Sequence, residues 1–173
     1  MSDIDRLFDE RWKSLEQKNR QANEVWQQAQ DDAETERKKF AEDVKPFVKR
    51  IDAFLNESGA AIEGKGGRFE HEQTRPTMVG VVREVSLSVA LVPKYPGREM
   101  IPSFGFAVEV SEDRNCIVAL FERCFPGGYR KEIFEGSESI DLGRFDGDEV
   151  FPQIQQHFFN LLNHAWDKTE HLL

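Results

Sequence analysis

The chain has 173 residues, a length that suits one globular domain and is short for two. Its formal net charge of -9 at pH 7 argues against nucleic-acid binding, because neutralising phosphates requires a basic face. We expect no membrane partner, because no apolar run is long enough to span a bilayer. The N-terminal stretch MSDIDRLFDERW carries charges where a signal peptide needs apolar residues, so we expect a cytoplasmic protein.

The N-terminal region has the composition of a long helix. From Ser2 to about Asn56 there is no glycine and a single proline, Pro46. Apolar residues in this region advance by alternating steps of four and three, a heptad pattern typical of coiled coils. We therefore predict a coiled-coil arm over residues 1–42, with an oligomer interface formed by Phe8, Trp12, Leu15, Asn19, Ala22, Trp26, Ala29 and Ala33.

Asn19 is the polar interruption early in this row of residues, the seam, and Glu36 is counted into the same heptad series after Ala33. With Trp12 at heptad position a, Asn19 occupies the next a position, where an asparagine can define register and strand number at some cost in stability. On an ordinary amphipathic helix the same Asn19 would be a surface residue. A helix of roughly forty residues is about 60 Å long, so part of it needs a partner beyond its own domain. We expect a second copy of the chain, giving a homo-oligomer, although a helix from another protein would satisfy the same seam.

Residues 43–173 are predicted to form an α+β head. Its first element is a docking helix with a broader apolar stripe that includes Phe47, Ile51 and Leu55. Pro46 is expected to kink or restart the helix here, with Asp43 available as the N-cap. The glycine-rich segment NESGAAIEGKGG is expected to end it.

The middle of the chain has the alternation of β-strands. From Arg68 to about Leu142, apolar and polar residues alternate as in strands with one buried face. The stretches SEDRN and PGG each join two such strands, so we predict an antiparallel meander of about five strands. Cys116 and Cys124 fall in one predicted strand, roughly 26 Å apart, and cannot form a disulfide with each other.

One loop of this region is a candidate partner-binding site. The segment PKYPGREMIPS interrupts two strands and carries Tyr95, Met100 and Ile101 among two prolines and a glycine. Apolar residues on a rigid loop can anchor a partner protein. Alternatively, Met100 and Ile101 fold back and close the end of the core, and the sequence favours neither interpretation.

The chain is expected to close with a helix that begins in FDGDEVFPQI, capped by Asp146, with Glu149 completing a capping box. His157, His164 and His171 follow at seven-residue steps, about 10.5 Å apart along a helix, which is too far for one zinc ion. We expect surface histidines and no metal site within the chain, with a pH-sensitive interaction stripe or metal bridging between chains as the alternatives. The predicted buried face carries Phe151, Ile154, Phe158, Leu162, Ala165, Trp166 and Leu173.

No nucleophile elbow, zinc signature, dinucleotide fingerprint or P-loop is present, so we infer no catalytic activity and expect no cofactor. The sequence favours a homo-oligomeric protein-interaction or adaptor protein that presents an acidic α+β head on a helical arm. The alternative is a small apolar-ligand binding protein or enzyme. Its pocket would lie between the sheet and the C-terminal helix, lined by residues such as Phe106, Phe121 and Phe158.

Overall fold

The computed structural model describes residues 3–72, 76–77, 80–88, 103–124 and 129–170. The chain divides into two compact units, Met1–Glu42, the arm, and Asp43–Leu173, the head. The elements in chain order are α1 (Asp3–Glu63), β1 (Arg68–Glu72), β2 (Pro76–Thr77), β3 (Gly80–Ser88), β4 (Ser103–Ser111), β5 (Asn115–Cys124), β6 (Tyr129–Glu132), β7 (Ile140–Arg144) and α2 (Val150–Glu170).

The strands form one antiparallel sheet. Its main path runs β1-β3-β4-β5-β6, with β2 paired to β3 and β7 paired to β5. Strands β4 and β5 are adjacent in sequence and in the sheet, as are β5 and β6, so both predicted hairpin pairings are confirmed. Both cysteines lie in β5, as predicted. The predicted α+β class, with a long N-terminal helix, an antiparallel sheet and a C-terminal helix against it, is confirmed.

Helix α1 runs unbroken through Pro46, so the predicted restart with Asp43 as the N-cap is wrong. Asp43 lies inside the helix, and its carboxylate accepts a hydrogen bond from the Arg114 guanidinium. A proline removes one backbone hydrogen bond from a helix interior. Burial of Val44 and Ile51 on either side of Pro46 offsets that loss, because packing of an apolar face supplies most helical stability in proteins.

The glycine-rich segment ends α1 as predicted. Gly66 has a φ of 88°, in the left-handed region that glycine adopts without steric cost. The Gly67 N–H donates to the Ile62 carbonyl at 3.0 Å, so a carbonyl of the last turn keeps a partner where the helix stops.

The core of the head lies on one face of the sheet. The register places Val85, Phe106 and Leu120 side by side across β3, β4 and β5, and all three are buried. Phe158 of α2 lies 5.2 Å from the Phe106 ring and 5.3 Å from the Phe54 ring of α1, measured between ring centroids, in edge-to-face contacts. Both helices therefore supply aromatic side chains to the same core, and aromatic burial of this kind is a major stabilising term.

Helix α2 begins later than predicted. The Glu149 carbonyl accepts the Gln153 N–H at 3.1 Å, which places Glu149 at the N-cap. Pro152 falls in the first turn, where a proline is tolerated. Asp146 instead accepts two hydrogen bonds from the Arg144 side chain, at 3.1 and 2.9 Å. The predicted cap by Asp146 is wrong because a turn over residues 144–150 separates it from the helix.

The buried face of α2 is rotated from the predicted one. Trp166 is exposed and Leu162 is half-buried, so their predicted burial is wrong, and Leu173 lies outside the described residues. Hydrophobicity assigns a large tryptophan to the core, but the sheet contacts the neighbouring row of the helix. That buried row consists of Val150, Phe151, Ile154, Phe158, Leu161, Ala165 and Thr169.

Candidate functional site

The predicted seam of the arm is exposed along its whole length. All eight residues predicted for the oligomer interface are exposed in the single chain. The large apolar side chains among them, which include Trp12 and Trp26, have 58–72% of their surface accessible. Contiguous exposed apolar surface of this kind marks interaction sites in monomeric structures, because water contact with it is unfavourable.

The unbroken helix brings the seam residues to one side of the arm. At about 100° per residue, the eight positions fall within a sector of roughly 100°. Sequence reasoning missed Ile4, which lies in the same sector one turn before Phe8 and is as exposed. It also missed Leu7 and Val25, exposed apolar residues that lie beside the seam and widen it on one side. The signal that could have found Ile4 is its four-residue spacing from Phe8.

Two polar contacts of the arm lie away from the seam. The Gln28 amide donates to the Asp32 carboxylate at 2.9 Å, and Lys38 Nζ lies 2.6 Å from a Glu34 carboxylate oxygen. This hydrogen bond with Lys38 lowers the pKa of Glu34. At 100° per residue these side chains point at least about 90° from the seam centre, so none of the four lies in the seam.

The head places two of the three predicted surface histidines against its core. His157 is half-buried, and its Nδ1 atom is buried with no hydrogen-bond partner among the described residues. The His164 ring meets the Phe104 ring edge-to-face, with centroids 5.7 Å apart. The expectation of solvated imidazoles is therefore wrong for both, because the buried row of α2 lies closer to them than predicted. His171 lies outside the described residues.

Burial changes the chemistry of these imidazoles. It lowers the pKa of His157, and it lowers the pKa of His164 together with the nearby positive charge of Lys168. Both therefore stay neutral to lower pH than an exposed histidine does. Within the described part of the chain, no group of three His, Cys, Asp or Glu side chains is placed to hold a metal ion.

A charged cluster lies on the sheet face opposite the core. Glu84 accepts hydrogen bonds from Arg123 and Arg130, each at 2.7 Å, which ties β3, β5 and β6 together. The Arg130 guanidinium also lies 4.2 Å from the centroid of the Phe121 ring. Phe121 covers Gly105 on β4, where a Cβ atom would lie 2.1 Å from the ring. The absence of a side chain at Gly105 is what admits the ring.

The three phenylalanines predicted to line a ligand pocket do not come together. Phe106 and Phe158 are in contact and fully buried, so they fill the space between sheet and helix. Phe121 pairs with Gly105, the neighbour of Phe106, and alternation along a strand places it on the opposite face. A different groove, of about 340 Å³, lies beside α2 and is lined by Leu120, Ile133, Phe134, Asn160, Leu161, Asn163, His164 and Asp167.

A loop and a cysteine are the remaining residues that the sequence analysis singled out. Tyr95, Met100 and Ile101, the predicted partner-binding loop, lie outside the described residues. Cys116 is a buried free thiol. Burial, with a contribution from the negative charge of Asp141, raises its pKa to about 12, so it is not a reactive thiolate near neutral pH.

The chain was compared with protein-family models, with curated proteins and with solved structures, and none of the three comparisons found a match. Neither α1 nor α2, in the part of the chain that the structure describes, has the combined length and apolar character needed to cross a membrane.

Proposed function

We propose that the protein is a homo-oligomeric interaction or adaptor protein, assembled through the arm and presenting one acidic head per subunit to a protein partner. The observation that carries the proposal is the exposed apolar seam of the arm. Burying it against a second copy would stabilise the assembly by about 25 cal/mol for each Å² of apolar surface removed from water. A second copy supplies the same seam and is the simplest partner.

Assembly would give the heads a function that a single chain lacks. Two heads on paired arms bind a repeated or dimeric target with avidity, because the second contact becomes intramolecular. The compartment we propose is the cytoplasm, since a buried free thiol such as Cys116 suits a reducing environment. No catalytic step is part of this proposal.

The first experiment is light-scattering mass across a concentration series for the unsubstituted chain and for Trp12→Glu. Trp12 lies in the seam, and a charge there would be buried without a partner in the assembly. We expect an oligomer for the unsubstituted chain and a shift to monomer for Trp12→Glu.

The matched control is Gln17→Glu, which adds the same charge about 180° from the seam centre on the same helix. Gln17→Glu is expected to keep the mass of the unsubstituted protein. A monomeric unsubstituted chain, or equal loss of assembly in both variants, would contradict self-association through the seam.

A second candidate function is the binding of a small ligand in the groove beside α2. The groove combines apolar side chains such as Phe134 with the polar groups of His164 and Asp167, which is the usual composition of a ligand pocket. Native mass spectrometry of the purified protein tests it, because a retained small molecule that is lost from His164→Ala would favour this function over the first.

A further inference from the structure

We propose that the arms of two copies pair parallel and in register as a two-stranded coiled coil. This inference rests on the proposed self-association, and it adds the orientation, the register and the number of chains. Arg11 and Asp32 of each copy would contact Glu16 and Arg37 of the other. The observations behind it are the side chains that flank the exposed seam.

The heptad frame assigns these flanking positions. With Trp12 at position a, Arg11 and Asp32 occupy g positions, while Glu16 and Arg37 occupy e positions. In a parallel pair each g residue lies beside the e residue five positions later in the other chain. Arg11 then meets Glu16 and Asp32 meets Arg37, so both contacts join opposite charges, and two-fold symmetry doubles them to four.

The remaining flanking positions add no repulsion to the parallel pair. Lys18 at g lies beside an asparagine at e, and Val25 at g lies beside a glutamine. At the flanking g and e positions no like charges meet between Arg11 and Arg37. In the seam itself Glu36 at d meets its own copy, whereas the antiparallel register that pairs Trp12 with Ala29 brings Glu36 against Asp5, so this like-charge contact does not separate the two arrangements. Like-charge contacts destabilise by about as much as opposite-charge contacts stabilise, so their absence from the flanks favours the parallel pair.

Antiparallel pairing fits the same side chains less well. It brings e against e and g against g, and in the register that pairs Trp12 with Ala22, Glu16 meets Glu16 and Lys18 meets Lys18. Both contacts are repulsive. This register is therefore disfavoured by the charges that favour the parallel one.

The next antiparallel register, which pairs Trp12 with Ala29, has one kind of opposite-charge contact, between Arg11 and Asp32. It also places Asn19 against an alanine, so the amide is left without a partner in the seam. In the parallel register Asn19 meets Asn19, and each amide can donate to the other. The parallel register thus has more opposite-charge contacts and gives the Asn19 amide a partner.

Disulfide trapping of Ala33→Cys tests the orientation in the full chain. In the parallel pair the two cysteines at position 33 are adjacent, so mild oxidation is expected to give a covalent dimer. In the antiparallel register with Trp12 beside Ala29, position 33 lies opposite position 8 and the two introduced thiols are about 37 Å apart. Gln17→Cys, on the opposite side of the helix, and the unsubstituted chain with its own two cysteines measure the background.

Charge reversal tests the register independently of cysteine chemistry. Arg11→Glu would face Glu16 of the second copy and is expected to raise the dimer dissociation constant about tenfold, by the usual magnitude of such contacts counted twice. The double variant Arg11→Glu with Glu16→Arg restores the attraction and is expected to recover the original constant. Arg20→Glu, the same change at an outward position, controls for net charge.

The outcomes separate this inference from the function it rests on. An oligomer that depends on Trp12 while Ala33→Cys oxidises no more than Gln17→Cys would overturn the parallel register and leave self-association intact. A mixture of Phe8→Cys and Ala33→Cys that forms the mixed disulfide would identify the antiparallel pair instead. A light-scattering mass of three or more chains, or a double variant no tighter than Arg11→Glu, would also overturn the inference. A monomer at every concentration would overturn both proposals.

Discussion

Phe8 in the arm and Phe158 in the head are the same side chain on the apolar face of a helix, yet Phe8 is 72% exposed and Phe158 is 0% exposed. Phe158 meets rings from α1 and the sheet, whereas Phe8 is left in water by the single chain. An apolar helix face therefore identifies a surface that is stabilised by burial against another one. It does not identify whether that second surface belongs to the same chain or to another one.

Charged side chains differ between the two regions in the same way. The ion pair of Glu34 with Lys38 in the arm joins two exposed side chains one turn apart. Glu84 in the head is 15% exposed and binds two arginines from other strands. Exposed pairs contribute little because water screens them, while a partly buried cluster leaves charges unpaired when one member is removed.

Of the substitutions that test this comparison, truncation of Phe158 in the core is expected to change the free energy of unfolding most. Phe158→Ala should lower the free energy of unfolding of the head by about 3 to 5 kcal/mol, because it removes buried contacts and leaves a cavity. Urea denaturation followed by circular dichroism measures it. The control is Phe8→Ala, which should leave the unfolding of the head unchanged and weaken self-association. Equal destabilisation by both variants would remove the distinction between the two settings.

A smaller effect is expected at the charged clusters. Glu84→Gln should lower the free energy of unfolding by about 1.5 to 3 kcal/mol, the range of a hydrogen bond to a charged group, since it weakens contacts to both Arg123 and Arg130. Glu34→Gln in the arm should cause no measurable change. The urea midpoints of the two variants provide the comparison. An unchanged midpoint for Glu84→Gln would show that this cluster adds nothing to the stability of the head.

The smallest effect is expected from pH. The folded-state pKa values of His157 and His164 lie below the ordinary imidazole value of 6.5, so the folded head binds fewer protons there than the unfolded chain does. Stability is therefore complete above about pH 6.5 and decreases as pH falls below it. Urea denaturation at about pH 7.5 and 5.5 measures the loss, and His164→Gln should reduce it.

The arm provides the internal control for this titration. Residues 1–42 contain no histidine, so the light-scattering mass of the oligomer should stay constant between about pH 7.5 and 6.0. Stability of the head that rises as pH falls over this range would contradict the placement of the two imidazoles against the core.

Much of the head was predictable because strand alternation and turn residues are local signals. The two hairpin pairings, the placement of both cysteines in β5 and the glycine stop after Glu63 follow from a few neighbouring residues. The restart at Pro46 was predicted from the same kind of signal and is wrong, because burial of Val44 and Ile51 outweighs one missing hydrogen bond.

The candidate interface was predictable for a related reason. Heptad spacing is a property of one helix, so the eight seam residues could be selected by counting, and the structure places them on one exposed side. Ile4 in the same sector, and Leu7 and Val25 beside the seam, were missed because a strict heptad selects only the a and d positions. That all of these side chains are uncovered in the single chain is visible only in three dimensions.

The sequence by itself determined the periodicities of this protein: the heptads of the arm, the alternation of the strands and the amphipathic character of α2. Each depends on spacing along a few turns or residues. Only the tertiary structure decided which row of α2 is buried, how far His157 and His164 are withdrawn from water, and on which sheet face Phe121 lies. These depend on strand register and on the contact of distant segments, which local spacing does not encode.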